Sequence, residues 1–595
     1  MIVLAGCGGA STGTCSSCAC TTCGTSGYQG PAFSGKALVG QEPLIGASVN
    51  LYAMGTSGNG SSGSALLSSA LTTDSSGAFS VAAGYNCASA GSQLYLVARG
   101  GQPGSASAAA NSATALLTVL GTCENAAATN PVTINEATTA AAVYALAQFL
   151  SAGGNLGATS TNTAGVKNAV ATAQALAGAS TGTSPGPAFA ANGSSPAPKI
   201  DTLANLLNAC ASSTAGSSAC TGLFSATAKS GVAPQNTLDA ALNLVRNPAG
   251  NVATLYALAS ASSAFAPALA TQPSDWTLFV NYTGGGMNEP TALGVDGTGN
   301  VWVASQLGAA SLFSPLGAPL LAQGITGSGL NQSFGLAVDQ NNDAWIPDFP
   351  DSVSVFNASG ASVAGSSGYP TGADTFPTGV AIDTDGSAWV ADWGNGEMTH
   401  LSSSGQELSG SPYPTQLDSP VNAAIDASHN VWISNLGSTT VTQLSQAGTL
   451  LATYNCCNGP QGLAIDQSGN VWIPNYDGGN ISEIVPSTGK PYSFSNANIV
   501  DPDYLAIDGA GSVWIINYHG SSLTELAGST ASVPGAALSP AGGLGADASL
   551  LEAYSIVIDA SGNVWVSNHG DNTLTQFVGL AVPVKTPQIG PAVAP

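Results

Sequence analysis

From about residue 272 onward, apolar and polar positions fall into one pattern that returns seven times. The most regular copy is Pro460 to Asn475. An apolar run, Gly462-Leu-Ala-Ile-Asp466, leads into a polar turn, Gln-Ser-Gly469-Asn470, and then into Val471-Trp472-Ile. The acids that end the runs are Asp296, Asp339, Asp383, Asp426, Asp466, Asp508 and Asp559. A tryptophan stands six residues after each: Trp302, Trp345, Trp389, Trp432, Trp472, Trp514 and Trp565. Most copies are 40 to 44 residues apart, with one longer gap before the last. A fixed period of this size marks a repeat architecture, in which each unit buries its apolar face against the next.

Within a unit the apolar run predicts a buried strand. Asp-x-x-Gly-Asn predicts a tight hairpin, in which Asp caps its own turn and Gly takes positive φ. Asn342 and His429 replace that Gly in two units. Asn and His tolerate positive φ better than most residues, which is a backbone reason for His429. The Trp strand follows, then a third strand such as Thr440 to Leu444, Asn480 to Ile484 or Thr573 to Phe577. A variable outer strand would complete a four-stranded blade, and such blades close around a channel as a β-propeller. The tryptophans are expected between neighbouring sheets, and a platform for sugars is the alternative use. Beyond Phe577 the last unit has no good outer strand, whereas Asp275 to Tyr282 is a strand without a blade. Donating that strand to the last blade would seal the ring and remove an exposed edge.

The unit Gly-Leu-Ala-Ile-Asp-x-x-Gly-Asn-Val-Trp-Ile-x-Asn resembles the NHL repeat over residues 272–582. It departs from that repeat in carrying Trp where Tyr or Val is usual, and Asn rather than Asp after the Trp strand in later blades. The resemblance implies a binding scaffold. Related propellers include streptogramin (virginiamycin B) lyase and peptidyl-hydroxyglycine lyase, so a metal-dependent lyase is a second reading. A purely structural surface protein is a third.

Ahead of the array the pattern changes three times. Residues 7–30 are mostly Gly, Ser, Thr, Ala and Cys, the composition of a flexible tether. The segment 1–30 starts Met1-Ile-Val-Leu4-Ala-Gly-Cys7, whose Leu-Ala-Gly-Cys resembles a bacterial lipobox with Cys7 as the lipidated residue. Only six residues precede Cys7 and none is basic, which departs from a working signal. Cys15, Cys18, Cys20 and Cys23 could hold a metal or cluster, or pair with one another. Residues 31–104 alternate with period two at Ala47, Val49, Leu51 and Ala53, and again around Leu94 and Leu96, so they predict a small all-β unit. Gly35-Lys-Ala-Leu, Pro43-Leu-Ile-Gly-Ala-Ser-Val-Asn-Leu-Tyr52 and Thr73-Asp-Ser-Ser-Gly-Ala-Phe-Ser80 resemble the carboxypeptidase regulatory-like β-sandwich, which implies a spacer or adhesion module. Residues 105–271 are Ala- and Leu-rich with helical spacing. Thr133 to Glu136 reads as a capping box opening a helix over 137–150. Leu203, Leu206, Leu207 and Cys210 form one stripe, and Leu238, Ala241, Leu242 and Val245 another. A Pro/Gly/Ser linker lies at 179–198, and residues 583–595 are a Pro-rich tail. The fold class expected is mainly β: a seven-bladed β-propeller preceded by a small β-sandwich and an Ala-rich helical region.

Charge narrows the partners. Charged residues are 7% of the 595-residue chain, with 8 Lys plus Arg against 32 Asp plus Glu and a net charge of −24. Such a surface repels nucleic acid and anionic lipid. No apolar run is long enough for a transmembrane helix, so membrane association would come only through a lipid anchor. With so few cations, little cationic self-repulsion would develop on protonating the carboxylates, and tolerance of an acidic exterior is expected. Cysteine usage points outside the cytoplasm. Cys210 with Cys220 is a candidate disulfide, and Cys87 with Cys123 could tie the β unit to the helices. Adjacent Cys456 and Cys457 could be a strained vicinal disulfide or two thiols.

Propeller ligands usually sit over the channel mouth, on the loops between second and third strands. Those loops begin three residues after each Trp, at Ser305, Asp348, Asp392, Asn435, Asn475, Asn517 and Asn568. A planar ring often follows: Phe349, Trp393, Tyr476, Tyr518 and His569. Polar groups alternating with planar surfaces suit a neutral polar ligand such as a glycan or peptide. Strand-end capping by Asp and Asn is the structural alternative. His519 and His569 lie in similar loops of the last two units and are the weak metal candidates. No catalytic constellation or cofactor motif stands out, and no cofactor is expected. The expected protein is an extracytoplasmic monomer, secreted or held as a surface lipoprotein, that binds a peptide, glycan or protein partner at the envelope.

Overall fold

The structure, a computed structural model, describes residues 27–105, 108–413, 417–496 and 498–595. Cys7 and the Cys15 to Cys23 cluster lie outside the described residues.

The repeat region forms seven antiparallel sheets, each built on one Asp–Trp unit. They are numbered one to seven in chain order. In each, an inner strand turns at the Asp into the Trp strand, and a third strand returns beside it, as with Pro420–Ile425, Val431–Asn435 and Thr440–Leu444 in sheet four. An outer strand completes sheet four at Leu450–Asn455 and sheet five at Lys490–Phe494. Sheets three and six keep only three strands. Their outer segments are rich in Ser, Pro and Gly and make isolated bridges such as Met398 to Tyr413 and Leu526 to Ala537.

All seven tryptophans are buried. Each packs on the following sheet: Trp302 on Val338 and Ile346, Trp472 on Leu505 and Ile507, and Trp565 on Leu293 and Val295 of sheet one. The packing therefore runs round a closed cycle, the arrangement of a β-propeller. Closure uses the donated strand. Phe279–Tyr282 pairs with Thr573–Phe577 at the edge of sheet seven, Phe279 opposite Phe577 and Tyr282 opposite Leu574. The six-residue Asp–Trp spacing has a second cause besides the turn. One carboxylate oxygen of Asp466 accepts the turn N–H groups of Ser468 and Asn470, and the other accepts the Trp472 indole N–H at 3.0 Å. The same indole bond forms in sheets two, four, six and seven. It is missing at Trp302 and Trp389.

The first unit packs two sheets around one core. Phe33–Val39 and Glu42–Ile45 lie in one sheet, and Ser48–Ala53 and Gln93–Arg99 in the other. Two expected boundaries shift. Tyr28–Gln29 already pairs with Asn86–Cys87, so the tether does not reach residue 30. Strands Ala115–Thr122 and Val132–Ile134 extend the two sheets, so the helical region begins at Glu136 rather than 105. β-branched and Leu residues at 116–120 favour a strand once a partner edge is present, although the Ala-rich flanks read as helix. For the same reason the Cys87–Cys123 disulfide stays within this unit and does not tie it to the helices.

Six helices follow, at Glu136–Ala145 (α1), Thr163–Leu176 (α2), Ala197–Ala211 (α3), Ser218–Ala226 (α4), Thr237–Val245 (α5) and Val252–Ala259 (α6). The cap of α1 is reciprocal between Asn135 and Thr138, not Thr133 and Glu136. Glu136 is fully buried instead, and its carboxyl accepts Gly40 N–H at 3.0 Å and the Asn208 amide at 3.0 Å. It thus pins the first unit to α3. Cys210 and Cys220 are bonded across the α3–α4 turn. Among the described residues no helix is long and apolar enough to cross a membrane.

The helices sit against the Asp-turn face of the array: Asn162 donates to Ala560 O, Ser561 to Gly165 O, and Asn168 to Thr298 O. Residues 179–198 are more than a linker, because Asn192 bonds Thr283 O and Gly317 O beside the donated strand. The Pro-rich tail enters the same face. Ala592 is fully buried and donates to Ile465 O, and Thr586, Gln588 and Gly590 line the central channel with the inner strands.

Candidate functional site

The helices and tail cover the Asp-turn face, so the opposite face is the accessible mouth. Antiparallel strands place the residues three after each Trp at that mouth. All seven of them are buried: Ser305, Asp348, Asp392, Asn435, Asn475, Asn517 and Asn568. Their polar groups turn inward. Asp348 accepts from Ser333 and from Ser354 N–H, and Asp392 from Thr399 at 2.7 Å. The amides of Asn475 and Asn568 each bridge two positions of the third strand, Asn480 with Ser482 and Thr573 with Thr575. Asn517 accepts Val500 N–H at 3.0 Å. These side chains brace strand ends and offer little to a ligand from solvent. Burial pushes the Asp348 carboxyl up to about 6 and raises Asp392 as well.

The planar residues that follow stand at the surface instead. A repeated backbone device sets four of them, Trp393, Tyr476, Tyr518 and His569, and also Gln306 and Leu436. Glu289, Phe376, Ser419, Gly459, Asp501 and Glu552, each just before an inner strand, all have φ between 48° and 65°. Their carbonyls accept the N–H of Gln306, Trp393, Leu436, Tyr476, Tyr518 and His569 respectively. Five of these six left-handed residues carry side chains, at a cost of order 1–2 kcal/mol each. Strain of this kind concentrates at functional surfaces.

The rings gather in two arcs. Over sheets two and three, Phe334, Phe349, Phe376 and Trp393 are linked at centroid separations of 5.2, 5.3 and 6.4 Å, with Trp393 43% exposed. Over sheets five to seven, Tyr476, Tyr518, Tyr554 and His569 follow at 6.3, 6.2 and 5.9 Å. Tyr504 joins Tyr554 at 6.1 Å and lies over Gly462 of sheet five. A Cβ on Gly462 would stand 2.8 Å from the Tyr504 ring. Gly462→Val is therefore expected to displace Tyr504 and disorder the second arc, seen as loss of slow exchange in tyrosine side-chain NMR signals; an unchanged spectrum would refute the contact.

The second arc is acidic. Asp477, Asp501 and Glu552 surround it, and Asp503 lies beneath, buried, with burial pushing its carboxyl up to about 8. Apart from its histidines, the region from residue 247 to 584 contains one basic residue, Lys490, on an outer strand. Asp503, Tyr504 and Tyr554 were not singled out by sequence. The available signal was a departure from the repeat: the inner strands open Pro290-Thr-Ala, Pro377-Thr-Gly and Pro460-Gln-Gly, but Pro502-Asp-Tyr in sheet six.

The histidines are not brought together. His519 bonds Asp501 at 2.8 Å. His569 bonds Glu552 at 3.2 Å and Gln306 at 3.0 Å. Among the described residues no group of three or more His, Cys, Asp or Glu is arranged to hold a metal ion. His429 has φ 63° and also reaches back to Asp383 of sheet three at 2.7 Å, a link its turn role did not foretell. His400 stacks on Trp389 at 4.0 Å, and burial pushes it down to about 4. Cys456 and Cys457 are bonded to each other just ahead of Asn458, whose N–H meets Asn475.

No protein-family model matches this chain, and no curated protein is similar to it in sequence. Its structure is similar to virginiamycin B lyase from Staphylococcus aureus, at 13% identity and a TM-score of 0.42, covering 50% of this chain and 98% of that one. It is also similar to the extracellular domain of a hybrid two-component system from B. thetaiotaomicron, at 15% identity and a TM-score of 0.39, over 51% of this chain and 42% of that one. The WD40 β-propeller domain of Doa1 is similar at 11% identity and a TM-score of 0.37, over 50% of this chain and 97% of that one. Likeness at this level transfers no ligand or chemistry.

Proposed function

We propose that this is an extracytoplasmic binding protein: a seven-bladed NHL-type propeller, carried on a carboxypeptidase regulatory-like sandwich and a helical stalk, that presents its mouth to a peptide, glycan or protein partner. The observation that carries the reading is the pair of aromatic arcs on the one face left uncovered by helices and tail. Planar rings with a polar rim are the surfaces that bind with least loss of side-chain freedom. Three disulfides, two of them in the stalk region, fit an oxidising compartment. The test is binding of the full chain to peptide and glycan arrays, beside Trp393→Ala and Tyr518→Ala. Signal on a subset of probes, reduced at least tenfold by one variant, is the expected result. Background signal throughout, with folded protein, would overturn the reading.

A further inference from the structure

We propose that the arc over sheets five to seven is a site for an organic ammonium group, either a lysine side chain of a partner peptide or a quaternary amine. The inference rests on the binding reading above and deepens it for one half of the mouth.

Three independent features meet there. The first is ring geometry. Tyr476 and Tyr518 meet at 63°, and Tyr518 and Tyr554 at 80°, so successive rings present faces in different directions rather than one flat stack. Differently oriented tyrosine faces attract a cation through the ring quadrupole, most strongly where water is excluded. The second is an acid without a partner. Asp503 is 3% exposed, and its carboxyl has no hydrogen bond among the described residues. It is close enough to act electrostatically on Tyr476, Tyr504, Tyr518 and Tyr554, the rings of this one cluster. A buried carboxyl left unbonded is unfavourable in the free protein, and a cation in the cage would relieve it. The third is the long-range field. With a single lysine and no arginine in the propeller, no ammonium or guanidinium group competes for the carboxylates on this face, and among the described residues only His519 and His569 pair with rim acids. The buried acids beneath the Phe/Trp arc of sheets two and three, Asp348 and Asp392, are each bonded to neighbouring hydroxyls, and that arc is assigned no cation.

Cation binding also has a protonic signature. A positive charge beside Asp503 favours its ionised form, so binding at neutral pH should expel a proton from it, and affinity should rise with pH up to about 8. The charged and titratable groups around this carboxyl are the four tyrosines, with Asp477, Asp501, Glu552, His519 and His569 on the rim.

The experiment is calorimetric titration of the full chain with choline, with its neutral isostere 3,3-dimethylbutanol, and with a lysine-containing and a matched lysine-free peptide. Choline or the lysine peptide is expected to bind at least tenfold more tightly than its neutral counterpart. Heats measured in two buffers of different ionisation enthalpy should reveal proton release. Tyr518→Ala and Asp503→Asn should each weaken binding at least tenfold, Tyr518→Phe should retain it, and Leu450→Ala, exposed on the outer strand of sheet four, should leave it unchanged. Choline without the peptide, or the reverse, identifies which source the cage accepts, and either supports the proposal. Equal binding of charged and neutral probes, no binding of either cation, or insensitivity to Tyr518→Ala would overturn it. Array binding lost in Tyr518→Ala but carried by neutral probes would leave the general binding function standing while this inference fails.

Discussion

The protein is expected to lose at least about 2 kcal/mol of stability as pH rises from 6.5 to 8.5. Burial raises the carboxyls of Asp503 to about 8, and of Glu136, Asp201 and Glu525 to about 7. In the unfolded chain these groups ionise near 4. A group whose folded pKa is raised keeps its full contribution below the unfolded value and loses it as pH climbs through the folded one. Each fully buried group loses about 1.4 kcal/mol per pH unit over that interval. His400, pushed down to about 4, works in the opposite direction, but only below its unfolded value near 6.5. The window above 6.5 is therefore governed by the carboxyls. Chemical denaturation midpoints across that range test the slope, and the double variant Glu136→Gln/Asp503→Asn should flatten it. A flat or rising wild-type profile would contradict the burial argument. The same linkage gives the acid tolerance expected from composition a second physical source: buried carboxyls that fold in their neutral form.

Trp565→Ala should be among the most damaging single substitutions, at about 4 kcal/mol or more. Removing a buried Trp costs about 3–5 kcal/mol through lost contact and cavity formation. Here it also strips the indole donor at 2.9 Å from the buried Asp559 carboxylate. It further removes the ring stacked at 6.0 Å on Tyr282 of the donated strand. Trp302→Ala, at an indole whose N–H has no partner, should cost about 1–2 kcal/mol less. Urea unfolding of the two variants measures the difference. Hydrogen exchange should show the amides of Phe279–Tyr282 losing protection in Trp565→Ala alone. Equal costs in the two variants would mean that the indole bond and the closure contact contribute nothing beyond burial.

The seven-fold pattern made the architecture legible, because a strand of period two, a turn needing φ > 0 and a Trp at constant distance are all local requirements. The closing strand was legible for a related reason: one unit lacked an edge and one strand lacked a unit. What could not be read locally was burial. Asn475 and Tyr476 are neighbours, yet the first is sunk between strands by its bonds to Asn480 and Ser482 and the second stands at the mouth. A polar residue at a strand end looks the same in sequence whether it faces a ligand or a neighbouring hydroxyl.

The sequence by itself determined the repeat, its register and its acidic, cation-poor surface, since each depends on residue type and spacing alone. Only the tertiary structure decided which mouth is open, because that depends on the helices and a tail arriving from far along the chain. It also decided that Asp503 lies unbonded under four tyrosines drawn from three different sheets. No spacing rule relates residues 476, 503, 518 and 554; they meet because the ring closes.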